Sequence, residues 1–349
     1  LKFEPNLQKH LQEPSIDKTG QLLQQTVLEL SDLPLLLKLM SVCPLTDLGL
    51  ETLLKKIRAM ILLALPSFES TSGVLEFQSV LALQCFTNEY IYGRSTEEEK
   101  AIVALETSVE DTLTKGQQPS PKAILCLASY NALKDYKWCE LLTDSNEIHH
   151  VFIRQVKEPD LETGIKSSMR VLSKITDKIS TKVQAQYEDN PYPRWVKLGL
   201  PIYSKPISNI VTKSKIKLFD NEIISVKEPD ILVAGCGTGQ HSIGTAARFK
   251  GSRVLAIDLS LSSLAYAKRK TEELGIKNIE YMQADILKLM KLSKQFDIVE
   301  SVGVLHHMDN PMAGWKVLVD CLRGGGLMKI GLYSELARQS VVAMRLEIS

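Results

Sequence analysis

Residues 231 to 242 read ILVAGCGTGQHS. The apolar run Ile231 to Ala234 stops at three alternate glycines, Gly235, Gly237 and Gly239, and a segment that can start a helix follows. Glycine tolerates backbone conformations that other residues avoid, and it lets another molecule touch the main chain. A strand ending in such a turn and passing into a helix is the opening of a βαβ unit. The rest of the chain must then supply further strands and crossover helices.

It does so. Strand-type runs lie at about Asp230–Ala234, Arg253–Asp258, Asn278–Met282, Phe296–Ser301 and Leu327–Leu332, with helical runs near 240–249, 261–274 and 311–322. This alternation predicts an α/β fold with a Rossmann-like, doubly wound parallel sheet. Ligands of such sheets sit beyond the carboxyl ends of the strands. Asp258 closes the second strand, where an acid either accepts hydrogen bonds from a ribose diol or caps the next helix. Asp285, in QADI after the third strand, either meets an adenine edge or is a solvated turn acid. The glycine spacing departs from Gly-x-Gly-x-x-Gly, with Gln240 at the place of the last glycine. The spacing therefore leans from a dinucleotide toward S-adenosylmethionine (SAM), with both still open.

The N-terminal half has another texture. In TDLGLETLLKKIRAMILLAL, apolar residues recur at spacings of three and four, with Thr46 or Asp47 as a cap and Pro66 as a stop. Ser95 followed by acids opens a second capped helix, which Gly116 closes, and Pro121 sits in the first turn of another. A long connecting helix is expected from about Asp160 to Gln186. Four prolines in YEDNPYPRWVKLGLPIYSKP then exclude regular helix. The expected organisation is an all-α domain over 1–180, a proline-rich linker or lid over 181–215 and a ligand-binding domain over 216–349.

The chain has 349 residues and a net charge of +1, which offers no electrostatic grip on nucleic acid or an anionic membrane. No apolar run approaches the roughly 18–20 residues of a membrane span. Six cysteines are scattered without a Cys-x-x-Cys pair, the pattern of reduced cytoplasmic thiols rather than of disulfides or a zinc site. No metal site is expected; His306 and His307 are adjacent and lack an acid–histidine cluster around them.

The combination VAGCGTG, LAIDLS, QADI, FDIVESVGVLHHMDNP and LRGGGLMKIGLYS resembles the class I SAM-dependent methyltransferases over about residues 216 to 335. The resemblance implies a SAM cofactor. Gly235, Gly237 and Gly239 would approach its methionine part, Asp258 would take its ribose hydroxyls, and Asp285 and Ile286 would flank its adenine, with Cys236, Leu259 and Ser301 also among the cofactor-binding residues. Many members carry an acid two residues before the first glycine, where this chain has Val233. QYEDNPYPRW, ALQCFTNEYIY and GLYSELARQSVVAMR further resemble bacterial methyltransferases that often carry tetratricopeptide repeats, and more distantly bacterial protein-lysine methyltransferases. The implied activity is methyl transfer to N or O of a small metabolite, peptide or protein; the alternative is a SAM-binding scaffold. The helical domain would select substrate or form a homodimer.

Three places are candidates for the acceptor pocket. One is the end of the fourth strand, with Glu300, Ser301, His306 and His307; His306 is either a base or a hydrogen-bonded structural histidine. Another is Tyr333, Ser334, Glu335 and Arg338. The third is the proline-rich segment, as a lid or as an interdomain brace. There Tyr187, Tyr192 and Trp195 would exclude water and hold a sulfonium by cation–π contact, and Arg194 would pair with the SAM carboxylate. Catalytic roles are thus expected of His306, Glu300, Tyr333 and Tyr192. Class I sheets have seven strands, and only five are legible, so the last two are expected to be missing. The fifth strand would then be an open edge, either in a fragment of a longer protein or covered by the helical domain or a second chain.

Overall fold

The apolar runs that follow the glycine turn become strands within a residue or two of their expected places, except that the last one starts earlier. The computed structural model describes residues 5–12, 21–218, 220–334 and 336–348. Glu335, one of the acceptor candidates, lies outside them. Two compact units are present, residues 1–160 with Trp195–Lys197, and residues 161–194 with 198–349.

The first unit is helical. It contains α1 (Pro5–Gln12), α2 (Gln21–Ser31), α3 (Pro34–Val42), α4 (Leu48–Leu63), α5 (Ser72–Thr87), α6 (Thr96–Thr114), α7 (Pro121–Ala128) and α8 (His149–Phe152). Asp47 caps α4 by accepting from the Gly49 and Leu50 amides, and Ser95 and Glu98 form a reciprocal capping box on α6. Helix α5 is apolar nearly all round and central, with Val74, Phe77, Leu81, Ala82 and Cys85 all buried. One charge sits inside this unit. Arg58 is fully buried, stacks 4.1 Å from the Tyr130 ring and reaches Glu98 Oε1 at 3.4 Å, and the Tyr130 hydroxyl donates to that same oxygen at 2.7 Å.

The second unit begins inside α9 (Glu158–Ser167), which is followed by β1 (Arg170–Val171) and α10 (Lys178–Asp189). The expected continuous helix from Asp160 to Gln186 is therefore broken. Arg170 and Val171 pair instead with Met282 and Gln283 at the sheet edge, which draws this stretch into the second unit. After α11 (Ile207–Ser214) come β2 (Asp230–Ala234), α12 (Gln240–Arg248), β3 (Arg253–Asp258), α13 (Leu261–Glu273), β4 (Ile279–Gln283), β5 (Phe296–Val302), α14 (Pro311–Asp320), β6 (Leu322–Gly331) and α15 (Gln339–Ile348).

All pairings are parallel, and the strand order is β1-β4-β3-β2-β5-β6. Among the described residues the sheet thus has six strands rather than five, the extra one lying before the glycine turn in sequence. The alternation of β2 explains the two-sided core. Ile231 and Val233 join one buried cluster, and Leu232 and Ala234 join the other. No strand among the described residues pairs with the outer edge of β6. No described helix is long and apolar enough to cross a membrane.

Candidate functional site

The chain order of the strands reverses between β2 and β5, and a cavity of about 310 Å³ opens there, beyond the carboxyl ends of β2, β3, β4 and β5. Its floor is the glycine turn. Gly235, Gly237 and Gly239 have φ of 75°, 52° and 91°, in the left-handed region. Their reasons differ. A Cβ on Gly235 would meet Val304 Cγ2 at 2.3 Å, and one on Gly239 would meet Ala267 Cβ at 2.7 Å. A Cβ on Gly237 would meet nothing closer than the Tyr192 carbonyl oxygen at 3.9 Å. Two of the glycines let the protein pack, and the middle one leaves the cavity floor bare.

Asp258 fixes this turn. Its Oδ2 accepts from the Gly237 amide at 2.8 Å and its Oδ1 from the Ser260 amide at 3.0 Å. Burial pushes the carboxyl upward, against the opposing pull of the Ser260, Gly237 and Leu259 amides. A carboxylate has about four acceptor positions, so it retains capacity for a diol. Asp285 is 3% exposed. Its Oδ1 accepts from the Leu287 amide at 2.9 Å, while Oδ2 is buried without a partner on the cavity wall. A native buried acceptor is rarely left so. An orphan acceptor, a second acid with spare lone pairs, apolar Leu259 and Ile286, and a bare glycine together fit a purine nucleoside with a polar tail. The residues therefore fit SAM.

The cover is mainly α10. Ile179, Ser180, Val183 and Tyr187 line the cavity, followed by Tyr192 and Pro193. Asp177 caps α10, accepting from the Ile179 and Ser180 amides. Its far end is latched. Ser260 Oγ lies 2.9 Å from the Tyr187 carbonyl and 3.0 Å from Glu188 Oε2, Lys166 pairs with Glu188, and Thr238 Oγ1 donates to the Pro193 carbonyl at 2.7 Å.

The structure brings Gly235, Cys236, Gly237, Asp258, Leu259, Asp285, Ile286, Tyr187 and Tyr192 around one cavity. Gly239 stands behind the turn as the cap of α12. Ser301 is buried and Arg194 half-buried, and neither lines the cavity. Trp195 groups with the first unit and does not line it either. Glu300 is 3% exposed and turned from the cavity toward Thr245 Oγ1 at 2.5 Å and His241 Nε2 at 2.9 Å. Burial alone would raise its carboxyl, but His241, Thr245 and Lys329 outweigh burial and hold it below the usual range. His306 lies behind the wall formed by His307. Its ring is 4.0 Å from Tyr333 and 4.2 Å from His307, both its nitrogens are buried without partners, and Arg338 lies 4.2 Å over Tyr333. Burial, then His307 and Arg338, lower the His306 imidazole.

Sequence reasoning missed Ile179, Ser180 and Val183, although the Asp177 cap was a legible signal for a helix start. It also missed His241, which follows Gly239 by two residues and lines the cavity.

Strand order, glycine turn and strand-end acids define the second unit as a doubly wound α/β domain with a ligand cavity at the switch in strand order. Residues 231–326 match the family described as Methyltransferase domain. An uncharacterized protein of Synechococcus is 34% identical over 118 residues, 34% of this chain and 28% of that protein. The ubiquinone biosynthesis O-methyltransferase of Coxiella burnetii is 30% identical over 122 residues, 35% of this chain and 50% of that enzyme. The chain therefore spans half or less of the length of these curated relatives. Among solved structures, the magnesium protoporphyrin IX methyltransferase of Synechocystis with bound S-adenosylhomocysteine aligns with a TM-score of 0.36 at 17% identity, covering 48% of this chain and 78% of that one.

Proposed function

We propose that the protein is a SAM-dependent methyltransferase acting on N or O of a small molecule, a peptide or a protein side chain. The observation that carries this reading is the orphaned, buried Oδ2 of Asp285 in the same cavity as the bare Gly237 and the Asp258 carboxylate. SAM, when bound, supplies an electrophilic methyl group on a sulfonium. The protein's task is then to align the acceptor and exclude water. In this reading Asp258 holds the ribose, Asp285 and Ile286 the adenine, and α10 with Tyr187 and Tyr192 closes over both. His306 stands behind His307 with its nitrogens buried, so as a base for a protonated acceptor it acts through the His307 ring and not by contact. Burial, then His307 and Arg338, lower the His306 imidazole and keep it neutral. Tyr333 orients it by stacking. Glu300 acts from behind the turn, without touching the acceptor. The helical unit selects the substrate or pairs two chains, and the enzyme works in the cytoplasm.

The test is S-adenosylhomocysteine release from SAM with fractionated cell extract as acceptor, alongside calorimetric titration with S-adenosylhomocysteine. Binding with turnover supports the enzyme. Binding without turnover across all fractions identifies a SAM-holding scaffold, and no binding removes the reading altogether.

A further inference from the structure

The fixed charge of the cavity lies at one end. Its lining carboxylates, Asp258 and Asp285, stand at the ends of β3 and β4, and the Asp258 oxygens already accept from the Gly237 and Ser260 amides. No lysine, arginine or glutamate among the described residues lines the cavity, and Glu300 is turned toward Thr245. The end of β5 is different. There the wall is Val302, Val304, His307 and Met308. Tyr187 and Tyr192 line the cavity from its cover, and burial, then Asp258 and Tyr333, raise the Tyr187 phenol and keep it neutral. Val302 is 42% exposed and Tyr192 67%, so apolar lining reaches out to the solvent. His307 is exposed too, and its ring stacks on His306 at 4.2 Å.

The proposed function gives the ends of β4, β3 and β2 to the cofactor, which leaves the end of β5 to the acceptor. Resting on that reading, we propose that the acceptor is a small, uncharged, apolar molecule whose nucleophile is a hydroxyl on an aromatic ring. An ammonium brought to this wall would lose its water, meet no carboxylate and face the cofactor's positive sulfur. A carboxylate or phosphate would lose its water and find no lysine or arginine. An uncharged ring loses little water and gains contact with the valines, the Met308 thioether and the tyrosine rings. A phenolic hydroxyl is a nucleophile that such a ring carries without charge, and an imidazole is the commonest group to take its proton. His307 is the imidazole on this wall. The acceptor oxygen gives a lone pair to its new bond with the methyl carbon, and the displaced pair leaves on sulfur. The hydroxyl proton passes to His307 and from that exposed ring to water.

The test is calorimetric titration of the full chain, saturated with S-adenosylhomocysteine, using one ring in three charge states. These are naphthol, naphthoate and naphthylmethylammonium, substituted at the same ring carbon. Naphthol should bind at least roughly tenfold tighter than either ion. It should also bind tighter than methoxynaphthalene, which has no hydroxyl proton, and His307→Ala should erase that difference. Val302→Asp places a carboxylate on the wall. It should weaken naphthol, favour the ammonium and leave S-adenosylhomocysteine bound as before, which also reports that the variant is folded. The wild-type charge series decides the matter even where a variant does not fold. An ion that binds as tightly as naphthol overturns the proposal, as does failure of all three rings to bind. A Val302→Asp protein that holds naphthol as the wild type does also overturns it, because the ring then lies elsewhere. A hydroxyl preference that survives in His307→Ala removes His307 as the proton acceptor. If the wild type does not bind S-adenosylhomocysteine, the cofactor reading itself falls, a result distinct from the others.

Discussion

Gly237→Ala separates what the glycine turn does for the protein from what it does for the ligand. The new methyl group would find no protein atom nearer than the Tyr192 carbonyl oxygen at 3.9 Å, so no clash arises within the fold. The cost to the free protein is the left-handed backbone at φ 52°, roughly 1–2 kcal/mol for a residue with a Cβ. For a domain of this size, that lowers Tm by roughly 2–8 °C. The same methyl group projects into the space assigned to the cofactor. Overpacking of about 1–3 kcal/mol should weaken S-adenosylhomocysteine binding by a factor of roughly 5 to 150. Gly235→Ala and Gly239→Ala are the controls. Their Cβ atoms would lie 2.3 Å from Val304 and 2.7 Å from Ala267, so both should lower Tm more than Gly237→Ala does. Calorimetric titration and thermal melting of the three variants read both effects. Unchanged affinity in Gly237→Ala, or Gly235→Ala melting no lower than Gly237→Ala, would refute this division of labour.

Asp285→Asn replaces an orphan acceptor with an amide that can donate. Preference should therefore move from S-adenosylhomocysteine toward its inosine analogue, which carries an oxygen in place of the adenine amino group, as competitive titration would read. In the helical unit, Glu98→Ala strips the carboxylate from fully buried Arg58, leaving it the Tyr92 and Gly93 carbonyls, and should cost about 3–5 kcal/mol in urea unfolding. Burial opposes ionisation of Glu98, but the Ser95 amide, Tyr130 and Arg58 outweigh it and lower the carboxyl. Its contribution to stability is therefore present above the unfolded value of roughly 4.3 and is lost as pH falls through the lower folded value. Asp230 is held low chiefly by Arg253, with help from Lys294. The Tm advantage of the wild type over Asp230→Asn should accordingly be present at neutral pH and vanish on acidification below about 4.

The legible parts of the fold were those in which local pattern and tertiary role agree. Ile231 to Ala234 alternate between two buried clusters, so the run is apolar throughout and ends where Gly235 must turn. Arg253–Asp258 is legible for the same reason. Arg170–Val171 was not, because both residues are exposed and only two are paired. Nothing apolar marks such a strand; it is specified by Met282 and Gln283, more than a hundred residues away. The last strand began earlier than expected because Arg323 and the glycines at 324–326 look like a turn. In the fold, Leu322 already pairs with Phe296 across an irregularity, and Arg323 reaches Asp297. At the site, the strand-end acids and glycines could be read from their spacing. The turning of Glu300 away from the cavity could not, because a strand residue's face depends on which helix packs over it. Here α12 carries His241 and Thr245 to that face.

The two ends of α10 have a kinetic meaning. At one end the chain is pinned by β1 and by the Leu172 amide donating to the Gln283 carbonyl at 2.9 Å. At the other it is pinned by Ser260, Ser262 and Lys166 on Glu188 and by Thr238 on Pro193. A strip fastened at both ends cannot swing away like a flap; it must bow outward or release one fastening. Each fastening is a hydrogen bond or ion pair worth about 1 kcal/mol net. Releasing a few of them is a local opening far cheaper than unfolding the sheet beneath. Under the proposed function, exchange of the cofactor would then be timed by the side chains of Ser260, Thr238 and Glu188.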